Sequence, residues 1–397
     1  MDRTRWNYKK IIEVTTFFDD GDWIESDDQS DSGIRLIQTG NIGNGFFVDK
    51  SERAKYISEN TFKRLRCKKI YKGDCLISRL PDPIGRSCIV PDVSAKMITA
   101  VDCSILRFKD IINPYFFVYV TQSKYYKEQI NKFSTGATRK RISRKNLETI
   151  ITPLPPINVQ QTIVAELDKL NEVIALKHKQ LADLDSLAQS LFYEMFGDPV
   201  VNEQGWEVKK LDTLCTHIVD CPHSTPKKVD KITPYPCIRT SELKGGNISW
   251  DTMQYLEKDE YDVRIARLKP EAGDIVFGRE GTIGDAVILP KGYFFSLGQR
   301  TMLLRTNESM VTNTFLHRVI LSEWVKKQIR SVNVSSTVAH VNIKDFKLFD
   351  IPLPPLPLQK SFATKIAKIE AEKQRVKSSL KDLETLLASR MQYWFDN

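Results

Sequence analysis

The densest group of side chains that could do chemistry is the stretch K-F-S-T-G-A-T-R-K-R-I-S-R-K, which runs from Lys132 to Lys145 without an acidic residue. Lysine, arginine, serine and threonine donate the hydrogen bonds that phosphates and base edges accept. A charge run is equally typical of an ordinary solvated surface. This stretch supplies the following candidate DNA contacts: Thr138, Arg139, Lys140, Arg141, Arg144 and Lys145.

The corresponding stretch of the second half reads V-N-V-S-S-T-V-A-H-V-N-I-K and has lost most of the charge. It keeps Thr337, His340 and Lys344, which we take as weaker candidates for the same contact. Three further arginines stand in or beside tight turns, namely Arg79 and Arg86 around Pro81–Gly85, and Arg279 in G-R-E-G-T-I-G. Arginine in such a loop suits bidentate reading of guanine, and a structural ion pair is the alternative.

No motif of a known catalytic site is found in the sequence. G-R-E-G-T-I-G lacks the spacing of a dinucleotide-binding loop, and G-x-x-x-x-G-K-[ST] does not occur. Leu154 precedes the proline pair Pro155-Pro156, where an amino-methyltransferase would carry Asn, Asp or Ser. The five histidines are scattered. Three acidic residues are expected to be solvated on the outer face of a helix: Asp183, Asp185 and Glu194. We therefore expect no catalytic, cofactor-binding or metal-binding residues.

The composition is that of a globular chain, with 397 residues, 41% hydrophobic and 27% charged. The formal charge of +9 favours a polyanionic partner, and nucleic acid is the leading candidate. The seven cysteines match no zinc or disulfide framework and are expected to be reduced thiols in cores or loops. The N-terminus has no apolar signal region and no run is long enough to span a membrane, so a cytoplasmic protein is expected.

The elements that position these residues occur twice. P-L-P-P-I-N-V-Q-Q begins at Pro153 and returns as P-L-P-P-L-P-L-Q-K at Pro352, an offset of 352 − 153 = 199 residues. Elsewhere the repeat is blurred, with G-D, arginine and I-G positions matching while the intervening sequence differs. An internal repeat of this kind indicates one fold that carries two different surfaces.

Each proline motif opens a long helical pattern without Gly or Pro, at 164–196 and 363–395. The apolar residues follow a near-heptad spacing that predicts coiled-coil helices. The expected seam consists of Leu167, Leu170, Ile174, Leu181, Leu184, Leu191, Ile366, Ile369, Leu380, Leu383 and Leu387. The second helix carries Lys373 where the first has Ile174, so we expect an imperfect seam there.

Connectivity predicts that the two helices pack antiparallel. The second globular unit begins where the first helix ends and finishes where the second helix begins, and a parallel pair would force that unit to bridge about 50 Å. The expected fold class is α/β (α+β), with two mixed α/β domains separated by an antiparallel coiled coil and related by a pseudo-two-fold repeat. The expected domains are 1–150 and 199–349, and the expected spacer helices are 151–198 and 350–397.

With these features the chain resembles the specificity (S) subunits of type I restriction-modification systems over essentially its whole length. The resemblance rests on the two L-P-P motifs followed by Gln160 or Gln359 and a long helix, on the G-D and I-G elements, and on the repeat with divergent interiors. It implies two target-recognition domains, each reading one half of a split, asymmetric sequence in double-stranded DNA.

The resemblance also implies a non-catalytic subunit that works with partners. These are two methyltransferase (M) subunits, which bind S-adenosylmethionine and methylate adenine, and restriction (R) subunits, which use ATP and magnesium. Two alternatives stay open on the residues alone. One is a methyltransferase or nuclease fused to its own recognition module, and the other is a coiled-coil adaptor that binds only proteins.

Overall fold

The structure is a computed structural model that describes residues 6–93, 95–136, 140–281, 283–332 and 340–396. The chain divides into two compact units, which we call unit 1 (Met1–His178 with Ser378–Asn397) and unit 2 (Lys179–Lys377). Each long helix contributes one part to each unit. The domain boundaries expected from the sequence stay a prediction, whereas the expected mixed α/β fold class is confirmed by the elements below.

Short strands and helices alternate along the first half, as the apolar runs and turn residues predict. The strands are β1 (Asn7–Lys10), β2 (Thr15–Asp20), β3 (Gln29–Ser30), β4 (Ile34–Ile37), β5 (Lys55–Ile57), β6 (Lys69–Ile70), β7 (Cys75–Ser78), β8 (Ser87–Ile89), β9 (Met97–Thr99), β10 (Cys103–Phe108) and β11 (Ile151–Leu154). The helices are α1 (Glu59–Arg64), α2 (Pro114–Gln122), α3 (Lys124–Phe133), α4 (Arg144–Glu148) and α5 (Ile157–Phe196).

The apolar pattern near 114–133 predicts one helix, but the structure interrupts it at Ser123. This residue has extended backbone angles, and its hydroxyl accepts a hydrogen bond from the Tyr126 N–H at 3.2 Å. A serine that caps the next helix in this way competes with continuation of the previous one. The pattern therefore forms two helices, α2 and α3, instead of one.

The sheets of unit 1 are mostly antiparallel, as expected. Strands β2, β10, β7 and β8 form one antiparallel sheet in that order, and β1 pairs with β11. A third sheet has the order β3-β5-β4-β9-β6 and contains one parallel pair, β4 with β9. The four-stranded sheet places the end of β7, where Arg79 follows, next to the beginning of β10.

The second half repeats this order of elements. Its strands are β12 (Glu207–Lys210), β13 (Cys215–Asp220), β14 (Lys228–Val229), β15 (Pro236–Ile238), β16 (Leu243–Lys244), β17 (Asn247–Ile248), β18 (Gln254–Leu256), β19 (Ile275–Gly278), β20 (Ala286–Ile288), β21 (Ser296–Leu297), β22 (Thr301–Thr306) and β23 (Asp350–Leu353). Its helices are α6 (Leu211–Leu214), α7 (Lys258–Arg264), α8 (Asn313–Ile320), α9 (Glu323–Val332), α10 (Ile343–Lys347) and α11 (Leu356–Phe395).

The sheets of unit 2 reproduce those of unit 1 with small changes. The order β13-β22-β19-β20 corresponds to β2-β10-β7-β8, and β12 pairs with β23 as β1 pairs with β11. The third sheet, β14-β18-β15-β21, again contains one parallel pair, while the hairpin of β16 and β17 forms a separate sheet. The internal repeat predicted from the sequence is thus a repeat of strand topology.

Both long helices begin earlier than their apolar stripes predict. Helix α5 starts at Ile157 instead of 164, and α11 starts at Leu356 instead of 363. In the first, the carbonyl of Pro156 accepts hydrogen bonds from the N–H groups of Val159 and Gln160, at 2.9 and 3.1 Å. Proline lacks an N–H, but the first N–H groups of a helix need no partner within it, so the motif can begin a helix directly.

A buried glutamine in each copy ties the helix to its unit. The Gln160 carboxamide accepts from the Asn113 N–H at 2.7 Å and donates to the carbonyls of Ile111 and Pro155 at 3.0 and 2.8 Å. Gln359 makes the three equivalent hydrogen bonds to Thr312, Met310 and Pro354. Both side chains are fully buried, so each must have these partners. The motif thus fixes the start of the helix against the sheet domain.

Within each unit the two helices run antiparallel. In unit 1 Arg390 pairs with Glu166, with Nη2 and Oε2 3.0 Å apart, and His178 lies 4.0 Å from Glu384. Residue numbers therefore rise along one helix as they fall along the other. In unit 2 Asp185 pairs with Lys373, and the ring of Phe362 lies 5.8 and 5.1 Å from the rings of Phe192 and Phe196. All eleven predicted seam residues are buried or half-buried.

The expected imperfection at Lys373 is corrected by the structure. The side chain is 4% exposed, and its Nζ lies 2.7 Å from Asp185 Oδ1 and 3.0 Å from Glu370 Oε1. A buried ammonium is tolerated when it is paired and hydrogen-bonded in this way. Asp185 is 60% exposed, as expected for a solvated position, and pairs with Lys373 in addition.

Each unit has its own apolar core, and the ends of the long helices are part of it. In unit 1 Trp394 and Phe395 of α11 are buried beside Phe116, whose ring lies 5.6 Å from that of Phe395. In unit 2 Phe192 and Phe196 of α5 pack among Phe315 and Phe362. Burying a large aromatic side chain stabilises a fold by about 2 to 3 kcal/mol, so the helix ends are anchored by packing.

Candidate nucleic-acid interface

Arg79 follows β7 at the point where the first basic loop returns to the sheet. Its carbonyl accepts from the Ile142 N–H at 3.2 Å, and its own N–H donates to the Asp102 carbonyl at 2.9 Å. The guanidinium is 4% exposed, with Nε 3.3 Å from Asp20 Oδ1 and Nη2 2.6 Å from the Val101 carbonyl. Burial lowers the pKa of Arg79, although the Asp20 carboxylate opposes this shift. The structural ion pair is therefore the role that the geometry favours.

The basic loop is closed by two backbone hydrogen bonds. The N–H of Thr135 donates to the Arg141 carbonyl at 2.9 Å, and the N–H of Arg141 donates to the Thr135 carbonyl at 2.8 Å. Thr138 and Arg139 lie outside the described residues. Lys140 is exposed between the bridge and that part of the loop. The bridge ties the beginning and end of the loop to the edge of β7 through Arg79.

The remaining cations of this stretch stand on both sides of the bridge. Arg141 is 46% exposed and lies 3.1 Å from Asp102, while Lys145 is exposed. Arg144 is half-buried and pairs with Asp19 and, at 3.2 Å, with Glu148. Surface ion pairs of this kind contribute little stability, so a phosphate can compete with the carboxylates for these cations.

The position of Arg86 favours a structural role over a base contact. Its guanidinium is buried and donates to four backbone carbonyls, those of Ile42 at 2.6 Å, Leu80 at 3.0 Å, Pro83 at 2.9 Å and Thr39 at 2.8 Å. Four of the about five N–H groups of the guanidinium thereby donate hydrogen bonds within the fold. Arg86 holds the turn after β7 together, and we leave it out of the candidate interface.

Arg279 holds the same place in unit 2. Its N–H donates to the Arg300 carbonyl and its carbonyl accepts from the Val341 N–H, both at 3.0 Å. The guanidinium pairs with Asp220 and lies 3.9 Å from Glu280. Burial would lower the pKa of Arg279, but the hydrogen bond and charge of Asp220 raise it. With a 14% exposed side chain, Arg279 resembles Arg79 and favours the structural alternative.

The other candidates of unit 2 lie around this anchor. His340, which corresponds to Arg141 at the 199-residue offset, is half-buried and forms a β-bridge with Glu280, whereas Arg141 forms its bridge with Thr135 of its own loop. Lys344 is exposed on α10. Thr337 lies outside the described residues. The assignment of these residues to DNA contact stays a prediction.

Sequence reasoning missed three residues that the fold of unit 2 brings to the same strand end. His223, Gln299 and Arg300 surround a cavity of about 200 Å³ together with Arg279 and Glu280. The side chains of His223 and Arg300 are 70% and 63% exposed. They come from segments that are far apart in sequence, and only the pairing of β13, β22 and β19 brings them together. No local pattern could have indicated them.

Unit 1 has a comparable addition beside its loop. Lys127 and Asn131 of α3 line a cavity of about 450 Å³ with Lys140 and the turn Pro81–Ile84. The lysines that recur along α3 indicate a basic helix face in the sequence. The position of this face beside the loop depends on the tertiary structure. Lysine and asparagine side chains offer donors to phosphates and to base edges.

Other chemistry finds little support in the described residues. There, no group of three His, Cys, Asp or Glu side chains is placed to hold a metal ion. Within the same ranges no helix has the length and apolar composition to cross a membrane. The seven cysteines are free thiols and six are buried, which agrees with the expectation of reduced cysteines. Burial raises the pKa of Cys88 and Cys103 to about 12, so these thiols are poor nucleophiles.

Comparison with solved structures shows the same fold. The S subunit of a type I restriction-modification system from M. genitalium matches with a TM-score of 0.60 at 13% identity, covering 99% of this chain and 96% of that chain. A second solved structure comes from work on the structural basis of complex assembly and conformational transition of the type I R-M system. It matches with a TM-score of 0.57 at 15% identity. It covers 98% of both chains.

Curated relatives point in the same direction. The type I restriction enzyme MjaVIII specificity subunit of Methanocaldococcus jannaschii is 23% identical over 297 residues, 68% of this chain and 69% of the relative. The putative MjaX specificity subunit of the same organism is 22% identical over 386 residues, 90% of this chain and 84% of the relative. The EcoKI specificity subunit of Escherichia coli is 24% identical over 264 residues, 63% of this chain and 55% of the relative.

The family profile matches the chain twice, once in each copy of the repeat. The profile of the type I restriction modification DNA specificity domain covers residues 4–186 and 203–382. These two segments make up most of the chain and agree with the duplicated strand topology. The chain therefore belongs to the type I restriction modification DNA specificity domain family, the specificity (S) subunits of type I restriction-modification systems.

Proposed function

We propose that this specificity subunit reads a bipartite, asymmetric DNA target, one half-site with each unit, and scaffolds two M subunits together with R subunits. One observation carries the proposal. The two loops return to the sheet at the same strand end, where the carbonyls of Arg79 and Arg279 accept from the N–H groups of Ile142 and Val341. Equal scaffolds with different loop side chains are what two readers of different half-sites require.

Methylome sequencing tests the bipartite target. A host that expresses the chain with its M subunits should gain methylated adenines in one motif made of two short sequences and a non-specific gap. The gap arises because each unit reads only the base pairs that its own loops reach. A continuous motif without a gap would contradict the proposal, and a host that lacks only this chain serves as the control.

The purified chain should bind DNA through its cations. Each phosphate contact releases counterions, so the logarithm of the affinity should fall linearly with the logarithm of the salt concentration. The M subunits should strengthen binding, since the loop cations of one chain leave much of a duplex uncovered. A chain that binds its protein partners but shows no salt-dependent DNA binding, alone or with M, would favour the adaptor alternative.

We further propose that the chain contributes recognition and no catalytic group. On this view S-adenosylmethionine binds to the M subunits, and ATP and magnesium act on the R subunits. Calorimetry with S-adenosylmethionine should show binding to the complex with M and none to the chain alone. Binding by the chain alone would favour the alternative of an enzyme fused to its own recognition module.

The two long helices are proposed to set the length of the gap. One heptad inserted after Ala182 and another after Lys381 keeps both apolar stripes in register and adds about 10 Å of helical rise. This length corresponds to about three base pairs. The doubly extended chain should methylate the same half-sites at a longer gap. A folded, active variant that keeps the original gap would assign the spacing to the M subunits.

A further inference from the structure

Lys373 is a charged residue at an apolar seam position of α11. The residue is 3% exposed, and its ammonium bridges Asp185 on α5, at 2.7 Å, and Glu370 on its own helix, at 3.0 Å. Burial alone would lower the pKa of Lys373, but the hydrogen bonds to Asp185 and Glu370 raise it. The ammonium is therefore charged, and Asp185 is its partner on the opposite helix.

The first copy of the repeat has an apolar residue at this position. At the offset of 199 residues Lys373 corresponds to Ile174, and Asp185 corresponds to Glu384. Ile174 is half-buried in unit 1, while Glu384 is 56% exposed and lies 4.0 Å from His178. The seam thus has a buried ammonium in unit 2 and an apolar side chain at the equivalent position in unit 1.

This difference matters because apolar residues and charges constrain a helix pair differently. An isoleucine packs against whatever apolar residue the opposite helix offers, whereas a buried ammonium needs a carboxylate at one position. If α11 shifted by one heptad along α5, Lys373 would face His178 or Phe192 of α5 instead of Asp185. Phe192 is buried in an aromatic cluster, and a histidine offers no carboxylate. A polar residue at a single seam position is an established way to fix the register of paired helices.

We propose that Lys373, through Asp185, fixes the register of α11 against α5 in unit 2 and is thereby a specificity-determining residue for the gap between the two half-sites. The second part rests on the proposed function, in which the helices set that gap. Lys373 acts at a distance from DNA, as a positioning residue. The base pairs of the half-sites themselves depend on other residues.

The first test measures gap length at unchanged half-sites. Lys373→Ile installs the residue of the first copy, and Lys368→Ile replaces an exposed lysine of the same helix as a matched control. Lys373→Ile should show about a tenfold rise in methylation at sites whose gap differs from the wild-type gap by about three base pairs. This difference corresponds to the helical rise of one heptad. Lys373→Arg keeps the charge and should restore the single gap, while Lys368→Ile should not change it.

The second test measures register without DNA. Spin labels on Ser186→Cys and Ala371→Cys, both exposed positions in unit 2, should give one distance with Lys373. In the Lys373→Ile background a second, longer distance should appear, because a shift of one heptad moves the two labels about 10 Å apart along the helix axis. If Lys373→Ile fails to fold in a melting experiment, Lys373→Met, which keeps the length of the side chain without its charge, takes its place.

The outcomes separate the two proposals. A single gap and a single label distance in the uncharged variants would overturn the role of Lys373. A second distance with an unchanged gap would confirm the register and refute its role in specificity. A wild-type methylome without a two-part motif would overturn the proposed function, and the label distances would still decide whether Lys373 fixes the register.

Discussion

The two units share the contacts that hold their sheets and differ in the loops at one strand end. Asp74 binds Arg107 with Nε 2.8 Å from Oδ1, and Asp274 binds Arg305 in the same way at 2.9 Å. In contrast, the first loop returns with exposed Lys140 and Arg141, where the second returns with half-buried His340. The duplication has preserved the interactions that make the fold and varied the side chains that it presents. The contacts within the sheets are therefore shared by the two units, and the loop side chains are not.

The largest effect that separates the units is expected from exchanging one of them. Replacement of residues 1–150 by the first unit of another family member should abolish one half of the methylated motif and create a new half-site sequence in its place. The other half should persist, because the side chains that read it are unchanged. Methylome sequencing reports both halves, and the reciprocal exchange of 199–349 is the matched control. A change in both halves at once would refute independent reading.

Acid should destabilise unit 2 more than unit 1. Burial lowers the pKa of His317 to about 4 from its usual 6.5, and its ring bonds the Ala286 carbonyl at 2.9 Å. At the 199-residue offset unit 1 has Val118. The unfolded chain binds the proton more readily, so stability falls as the pH drops from 6.5 towards 4, by about 3 kcal/mol in full.

Chemical denaturation at several pH values, followed in each unit by hydrogen exchange, measures this effect. His317→Val introduces the residue of unit 1 and should remove the pH dependence between 4 and 6.5 from unit 2. The loss of its hydrogen bond is part of the same substitution, so the comparison uses the slope with pH and not the absolute stability. An unchanged slope would show that another group titrates in this range.

The shared scaffold predicts equal losses from equivalent substitutions. Asp74→Asn and Asp274→Asn each remove the charge from a buried carboxylate that pairs with an arginine, and each should destabilise its own unit by about 2 kcal/mol. Hydrogen exchange of the two units provides the measurement. Losses that differ by more than a factor of about three would exceed ordinary variation with context and would show that the scaffolds are not equivalent.

The smallest effect is expected at the loops, where only single contacts are lost. Lys140→Ala with Arg141→Ala should weaken DNA binding to all sequences by roughly tenfold and lower the salt slope by about two, because two phosphate contacts are removed. Lys344→Ala in unit 2 should lower the slope by about one at most. Titration of DNA at several salt concentrations measures both. Equal slopes in wild type and variants would remove these residues from the interface.

The sequence was sufficient for the features that rest on periodicity and repetition. The offset between the two proline motifs predicted a duplicated fold, and the heptad spacing predicted two long helices with their seam residues. Connectivity predicted the antiparallel direction, which each unit shows. These features are local or follow from chain continuity. They can therefore be predicted from the order of the residues alone. The helix starts at Ile157 and Leu356 precede the apolar stripes, so the stripes alone did not indicate them.

The tertiary structure alone decided the environment of each charge. Arg86 is a loop arginine in the sequence, but four carbonyls surround its guanidinium, and two of them, those of Thr39 and Ile42, come from a segment distant along the chain. Lys373 interrupts an apolar stripe in the sequence, but its ammonium group pairs with the carboxylate of Asp185 on the opposite helix. The energy of a charge depends on burial and on partners brought near by folding, and neither quantity is a property of the local sequence. The sequence by itself therefore determined the repeat and its helices, and folding decided which charged residues are buried with partners and which stay exposed.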